Sequence, residues 1–235
     1  MKLFPSLSRE NLAKTKYTRL LSVLIFLLVS SPFLYQSKLG AIIGGITFLS
    51  TVLVIISTFH LKSISLKVNI LLAILSFSCE TLARSNLINT ENEKFFFLCG
   101  RIIDIVFISL AIYVICKRIV NDNKVGSDTI KGGICVYLLI GILWAFLYEV
   151  FFLTNSDSFS ENILYKQEIN YDLKPFLYYS FTTLTTLGYG DIVPQTYVAM
   201  MFSNLEAIVG QLYPAIIIAR LVGLYTAEEM SNPED

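Results

Sequence analysis

Charge is scarce in this chain: only 15% of its 235 residues are charged, and 18 lysines and arginines balance 18 aspartates and glutamates. A sparse, balanced set leaves no basic footprint for nucleic acid. The four cysteines, Cys79, Cys99, Cys116 and Cys135, lack Cys-x-x-Cys spacing and sit inside apolar runs. That argues against a metal site and for small core residues. Neither low-complexity tracts nor internal repeats are present. Asn-x-Ser/Thr acceptors are missing too, which leans toward a prokaryotic plasma membrane. No cleavable signal peptide is expected, because the first apolar run follows a polar, basic stretch and is itself followed by more such runs. With a short acidic stretch after Tyr225, no nucleotide- or calcium-binding domain is expected there.

What the chain has in abundance is apolar length. It is 54% hydrophobic, with a mean hydropathy of +0.64, beyond the range of a soluble domain. Runs long enough to cross roughly 30 Å of hydrocarbon fall near residues 19–36, 39–60, 66–86, 95–116, 130–153 and 196–224. A seventh helix, too short to span, fits 174–185, opening at Lys174-Pro175, where proline suits a first turn. The expected fold is all-α: six transmembrane helices plus a re-entrant helix and loop. Residues 1–120 form a four-helix domain. Residues 121–235 form a second domain, after the polar linker 121–128.

Basic residues set the orientation. With the N-terminus cytoplasmic, the inner segments hold Lys2, Arg9, Lys14, Lys16, Arg19, Lys62, Lys67, Lys117, Arg118, Lys124, Lys131 and Arg220. The outer ones hold Lys38, Arg84, Lys94, Lys166 and Lys174. The positive-inside rule then puts both termini in the cytoplasm. The acids Glu91, Glu93, Asp157, Glu161, Glu168, Asp172 and Asp191 fall outside. There they either raise the local cation concentration or form ordinary solvated loops. His60, the lone histidine, lies at an inner helix end, either idle at the interface or titrating near neutral pH.

The short helix runs into Thr-Thr-Leu-Thr-Thr-Leu-Gly-Tyr-Gly-Asp-Ile-Val-Pro, residues 182–194. Glycine reaches positive φ without steric cost. Gly188 and Gly190 therefore let successive carbonyls turn to one side, while Leu187 and Tyr189 send side chains to the other, into supporting protein. Thr186 adds a hydroxyl and a carbonyl. Four copies about an axis would stack oxygen rings that replace a cation's hydration shell. The stretch closely resembles the selectivity filter of tetrameric potassium channels, usually Thr-Val-Gly-Tyr-Gly-Asp, with Leu187 where valine is commoner.

That resemblance covers residues 121–225 and implies a homotetrameric, potassium-selective channel in the cell membrane. Conduction is passive, without catalysis. The partners are membrane lipid and the permeant K+, with no cofactor. By the same resemblance Thr186, Leu187, Gly188, Tyr189, Gly190 and Asp191 form the filter, and the backbone carbonyls of Thr186, Leu187, Gly188 and Tyr189 meet the ion. Tyr178 and Tyr179 stand where two tryptophans often brace the filter tyrosine, so they, with Thr182 and Thr185, are its expected support. An aromatic interface belt is the competing reading of the two tyrosines. Thr182 replaces a glutamate that in some members shares a proton with the filter aspartate. The negative end of the pore-helix dipole, worth about half a charge, should face the cavity.

Gly210 and Pro214 fall where inner helices of this family bend, giving a gate hinge with its constriction near Ile217 to Val222. Close helix packing at a small residue is the other explanation for Gly210. Glu206, inside the same helix, either faces the cavity or bonds Tyr213 or a neighbouring subunit. Six spans resemble the voltage-gated layout, but the fourth has Arg101 followed by Asp104 in place of an arginine series. Arg101 and Asp104 share a face, within reach of Glu80 or Arg84. A static polar network or weak voltage sensing follows. Alternatives to the potassium channel are a weakly selective cation channel, a silent or regulatory channel subunit, and a potassium transporter. The transporter is disfavoured because the single filter copy is intact.

Overall fold

A computed structural model describes residues 16–34, 63–84, 90–121, 126–160 and 173–231. These are helical almost throughout. The order is α1 (Lys16–Leu34), α2 (Ser63–Arg84), α3 (Thr90–Asn121), α4 (Ser127–Thr154), a 3-10 turn (Ser156–Ser158), α5 (Lys174–Leu184), α6 (Tyr197–Tyr213), a π-helical turn (Pro214–Ile218) and α7 (Ala219–Ser231). Among the described residues, three continuous stretches are long and apolar enough to cross a membrane: Asn92–Asn121, Ser127–Thr154 and Tyr197–Ala227. Helices α1 and α2 occupy the first and third expected spans. The second, 39–60, lies outside the described residues, as do the linker residues 122–125.

Local chemistry sets the helix ends. Asn155 closes α4, its backbone N–H reaching the Phe151 carbonyl while its side chain accepts from the Asp157 N–H. Pro175 opens α5. Thr196 caps α6 by accepting from the Ala199 N–H. Pro214 has no N–H to give the carbonyl one turn back, and the helix answers with the π turn rather than a break. Helix α1 is capped from a distance: Asp128 on α4 accepts the Tyr17 and Thr18 N–H groups at 3.2 and 3.0 Å. The orphan donors of a helix N-terminus favour such a carboxylate.

Helix α4 is the hub, packing against α1, α3, α5 and α6. The core threads Tyr17, Leu20 and Leu24 of α1, Phe107, Ile108 and Ile115 of α3, Val136, Leu139 and Phe146 of α4, and Phe176 and Leu177 of α5. This core runs across the boundary drawn at residue 120, with α1 and α3 packed directly on α4. Gly132 makes the close approach of α1 possible, because a Cβ there would sit 3.1 Å from the Tyr17 ring.

Candidate functional site

Helix α5 ends in a threonine-rich turn that hands its carbonyls to the following loop. The Thr182 carbonyl accepts from both the Leu187 and Gly188 N–H groups, at 2.8 and 3.1 Å, and the Thr183 carbonyl accepts from Thr186 at 2.9 Å. The backbone then alternates. Gly188 and Gly190 sit at φ of +50° and +77°, and Thr186 joins them at +57°. A β-branched residue in that region is strained by about 1–3 kcal/mol and persists only where its surroundings hold it. The anchor is the Thr182 carbonyl, whereas the hydroxyls of Thr182 and Thr185 bond back to Tyr179 and Phe181 of their own helix. Support from Thr182 is therefore a backbone matter, which residue type alone does not disclose, while Thr185 bonds back to its own helix.

Asp191 closes the loop. Its Oδ2 accepts from the Tyr178 hydroxyl at 2.6 Å and its Oδ1 from the Ile192 N–H at 3.0 Å. The Asp191 carboxylate holds the Tyr178 phenol up, to about 12, as expected of a phenol donating to an anion. The Tyr178 ring lies parallel to Tyr189, centroids 6.3 Å apart. Beyond Asp191 the chain is clipped to the end of α4: Ser160 N–H donates to the Val193 carbonyl and Gln195 N–H to Ser158, around a Phe159–Pro194 bridge. Tyr178→Phe keeps the stacked ring and loses the carboxylate contact. It should loosen the loop, read as faster decline of current during sustained recording with an unchanged reversal potential.

One expectation needs correcting. Tyr179 does not flank Tyr189 within the chain. It is buried, its hydroxyl lies 2.6 Å from Ser203 Oγ, and its ring meets Tyr148 and Phe159 edge-on. An α5 turn rotates adjacent residues about 100° apart, so only one of the pair can face the loop. Leu187 and Tyr189, expected to be covered by supporting protein, are 55% and 67% exposed on the single chain.

Glu206 finds its partners inside the chain. It is fully buried, and it bonds the Tyr148 hydroxyl and Ser180 Oγ, each at 2.5 Å. Tyr213 instead donates to the Gly133 carbonyl. Gly210 lies so close to the end of α5 that a Cβ would run into the Leu184 carbonyl. Close packing thus accounts for the glycine, and a π turn follows at Pro214. Arg101 is buried and bridges Glu80 at 2.7 Å, Asp104 at 2.9 Å, and Glu149 of α4, with its guanidinium over the Phe146 ring at 4.7 Å. Glu149 is the member that spacing on α3 could not supply.

A helical chain with long apolar helices, and a short helix ending in a glycine-bearing loop between two of them, is built as a membrane protein. A family model described as "Ion channel" matches residues 101–227, more than half of the chain, and the chain belongs to that ion-channel family. No curated protein and no solved structure matches. Membership makes ion movement across a membrane its class of activity.

Proposed function

We propose that the protein is a potassium-selective channel working as a homotetramer, with residues 186–191 as its filter. The observation that carries this reading is the backbone of the loop. Positive φ at Thr186, Gly188 and Gly190, with the N–H groups of 186–188 turned back onto α5, leaves the loop carbonyls free for another partner. Dehydrated K+, the cargo, takes rings of such oxygens. Each chain contributes one loop, so a ring of four needs four chains. The exposed Leu187 and Tyr189, and the bare apolar face of α6 with Leu205, Ile208 and Leu212, suit burial by neighbouring copies and lipid. Six spans, cytoplasmic termini and a plasma-membrane location complete the proposal, with Pro214 and its π turn as the flexible point of the gate.

A weakly selective cation channel is the second reading, favoured by one observation: Tyr179 turns away and leaves Tyr189 a single stacked ring. The decisive experiment reconstitutes the purified protein in planar bilayers under potassium and sodium gradients. A reversal close to the potassium equilibrium potential is expected. A reversal near zero would sink the potassium reading and leave the second one.

A further inference from the structure

Glu206 sits on α6 with no exposed surface, at a junction of three helices. Its Oε2 is 2.5 Å from the Tyr148 hydroxyl of α4, and its Oε1 is 2.5 Å from Ser180 Oγ of α5. Ser180 Oγ is also 2.7 Å from the Gly141 carbonyl of α4. These are three close approaches between oxygens, and each needs one proton between the pair. Tyr148 and Ser180 bring one proton apiece, and the carbonyl brings none. An ionised carboxylate would leave one pair with two facing lone pairs and no hydrogen. A carboxylic acid completes the set: Glu206 donates from Oε1 to Ser180, Ser180 donates to Gly141, and Tyr148 donates to Oε2.

The bracket lies directly behind the loop. Ser180 is two residues before Thr182, whose carbonyl holds the Leu187 and Gly188 N–H groups. Next to Ser180, Tyr179 ties α5 to Ser203 on α6. A shift of α5 along its axis would have to break these bonds before moving the loop. Buried hydrogen bonds of this kind are costly to leave half-made.

We infer that Glu206 is a positioning residue for conduction: as a neutral carboxylic acid it fixes the filter-bearing helix α5 to α4 and α6. The role rests on reading residues 186–191 as the filter, and it assigns Glu206 neither to the ion path nor to an electrostatic attraction for cations. Glutamine reproduces the pattern, its amide NH2 donating to Ser180 and its carbonyl accepting from Tyr148. Leucine cannot.

The test compares wild type, Glu206→Gln, Glu206→Leu and Ser180→Ala in planar bilayers under potassium and sodium gradients. Glu206→Gln should match the wild-type reversal potential and conductance. Glu206→Leu and Ser180→Ala should lower the potassium-to-sodium permeability ratio about tenfold, the scale of one or two buried hydrogen bonds lost. An infrared difference spectrum of wild type against Glu206→Gln should contain a protonated carboxyl stretch. Three results overturn the proposal: Glu206→Gln as impaired as Glu206→Leu, Ser180→Ala with wild-type selectivity, or a difference spectrum with carboxylate bands alone. If Glu206→Leu does not assemble, Ser180→Ala, which removes one oxygen, carries that arm. A wild-type reversal near zero would instead sink the potassium reading, and this role with it.

Discussion

Gly210→Ala should lose its folded pore, with detergent-solubilised protein unfolding at markedly lower temperature and reconstituted protein passing little or no current. The added Cβ meets the carbonyl oxygen, carbonyl carbon and Cα of Leu184, all backbone atoms of the last turn of α5. A flexible side chain could move aside, but here one of two helices must shift. Overpacking of this kind costs about 1–3 kcal/mol and occasionally more, and backbone against backbone belongs at the upper end. Leu184 also directly follows the threonines whose carbonyls hold the loop, and its carbonyl accepts from Tyr137 at 3.4 Å. A displaced α5 therefore disturbs the site as well as the fold.

The hinge reading predicts the opposite. If Gly210 served chiefly to bend α6, alanine would stiffen the helix by about 1 kcal/mol, keep the protein stable and slow its opening. Gly223→Ala is the control, because nothing lies within 4 Å of a Cβ there. It should leave stability unchanged or slightly raised. A stable Gly210→Ala protein with altered gating would return the residue to the hinge.

Helix α5 shows what the sequence could carry. Its start at Lys174-Pro175 and its end before the glycine loop are local features, and it runs from Lys174 to Leu184 as expected. The positive φ of Gly188 and Gly190 is equally local, being what glycine alone adopts freely. Partners across helices are another matter. Spans that are apolar nearly all round carry little amphipathic signal to say which face meets which neighbour. Glu206 was conspicuous as an acid in such a helix, yet its partners Tyr148 and Ser180 follow from the rotation of α4 and α5. Asp128 capping α1 is a contact across more than a hundred residues, with no local pattern to announce it. Thr182 acts through its carbonyl, a group every residue possesses. The resemblance supplies a pair of tyrosines, whereas the rotation of α5 turns Tyr179 toward Ser203 within the chain.

Arg101→Met should destabilise the protein about as strongly, because it strands Glu80, Asp104 and Glu149 without their shared cation. Removing one partner from a buried ion pair costs about 3–5 kcal/mol, mostly through the charge left behind. Adding Asp104→Asn and Glu149→Gln to Arg101→Met should recover much of the lost thermal stability, since of the three acids only Glu80, the most exposed, then still lacks its counterion. No recovery would mean that the guanidinium matters chiefly through its packing on Phe146 and Phe97.

The same cluster decides how far voltage can act on α3. Moving one charge across the field supplies about 2.3 kcal/mol per 100 mV, less than the cost of breaking a buried pair. Asp104 rides on the same helix one turn away, so displacing α3 carries the two opposite charges together and transfers almost no net charge. The tie to Glu149 on α4 further opposes any slide. Conductance in reconstituted channels should therefore change little with voltage, and Arg101→Lys should leave that flat relation as it is. A steep voltage dependence that Arg101→Lys or Glu149→Gln shifts would mean that the network opens under the field, with Arg101 moving between acids rather than resting among them.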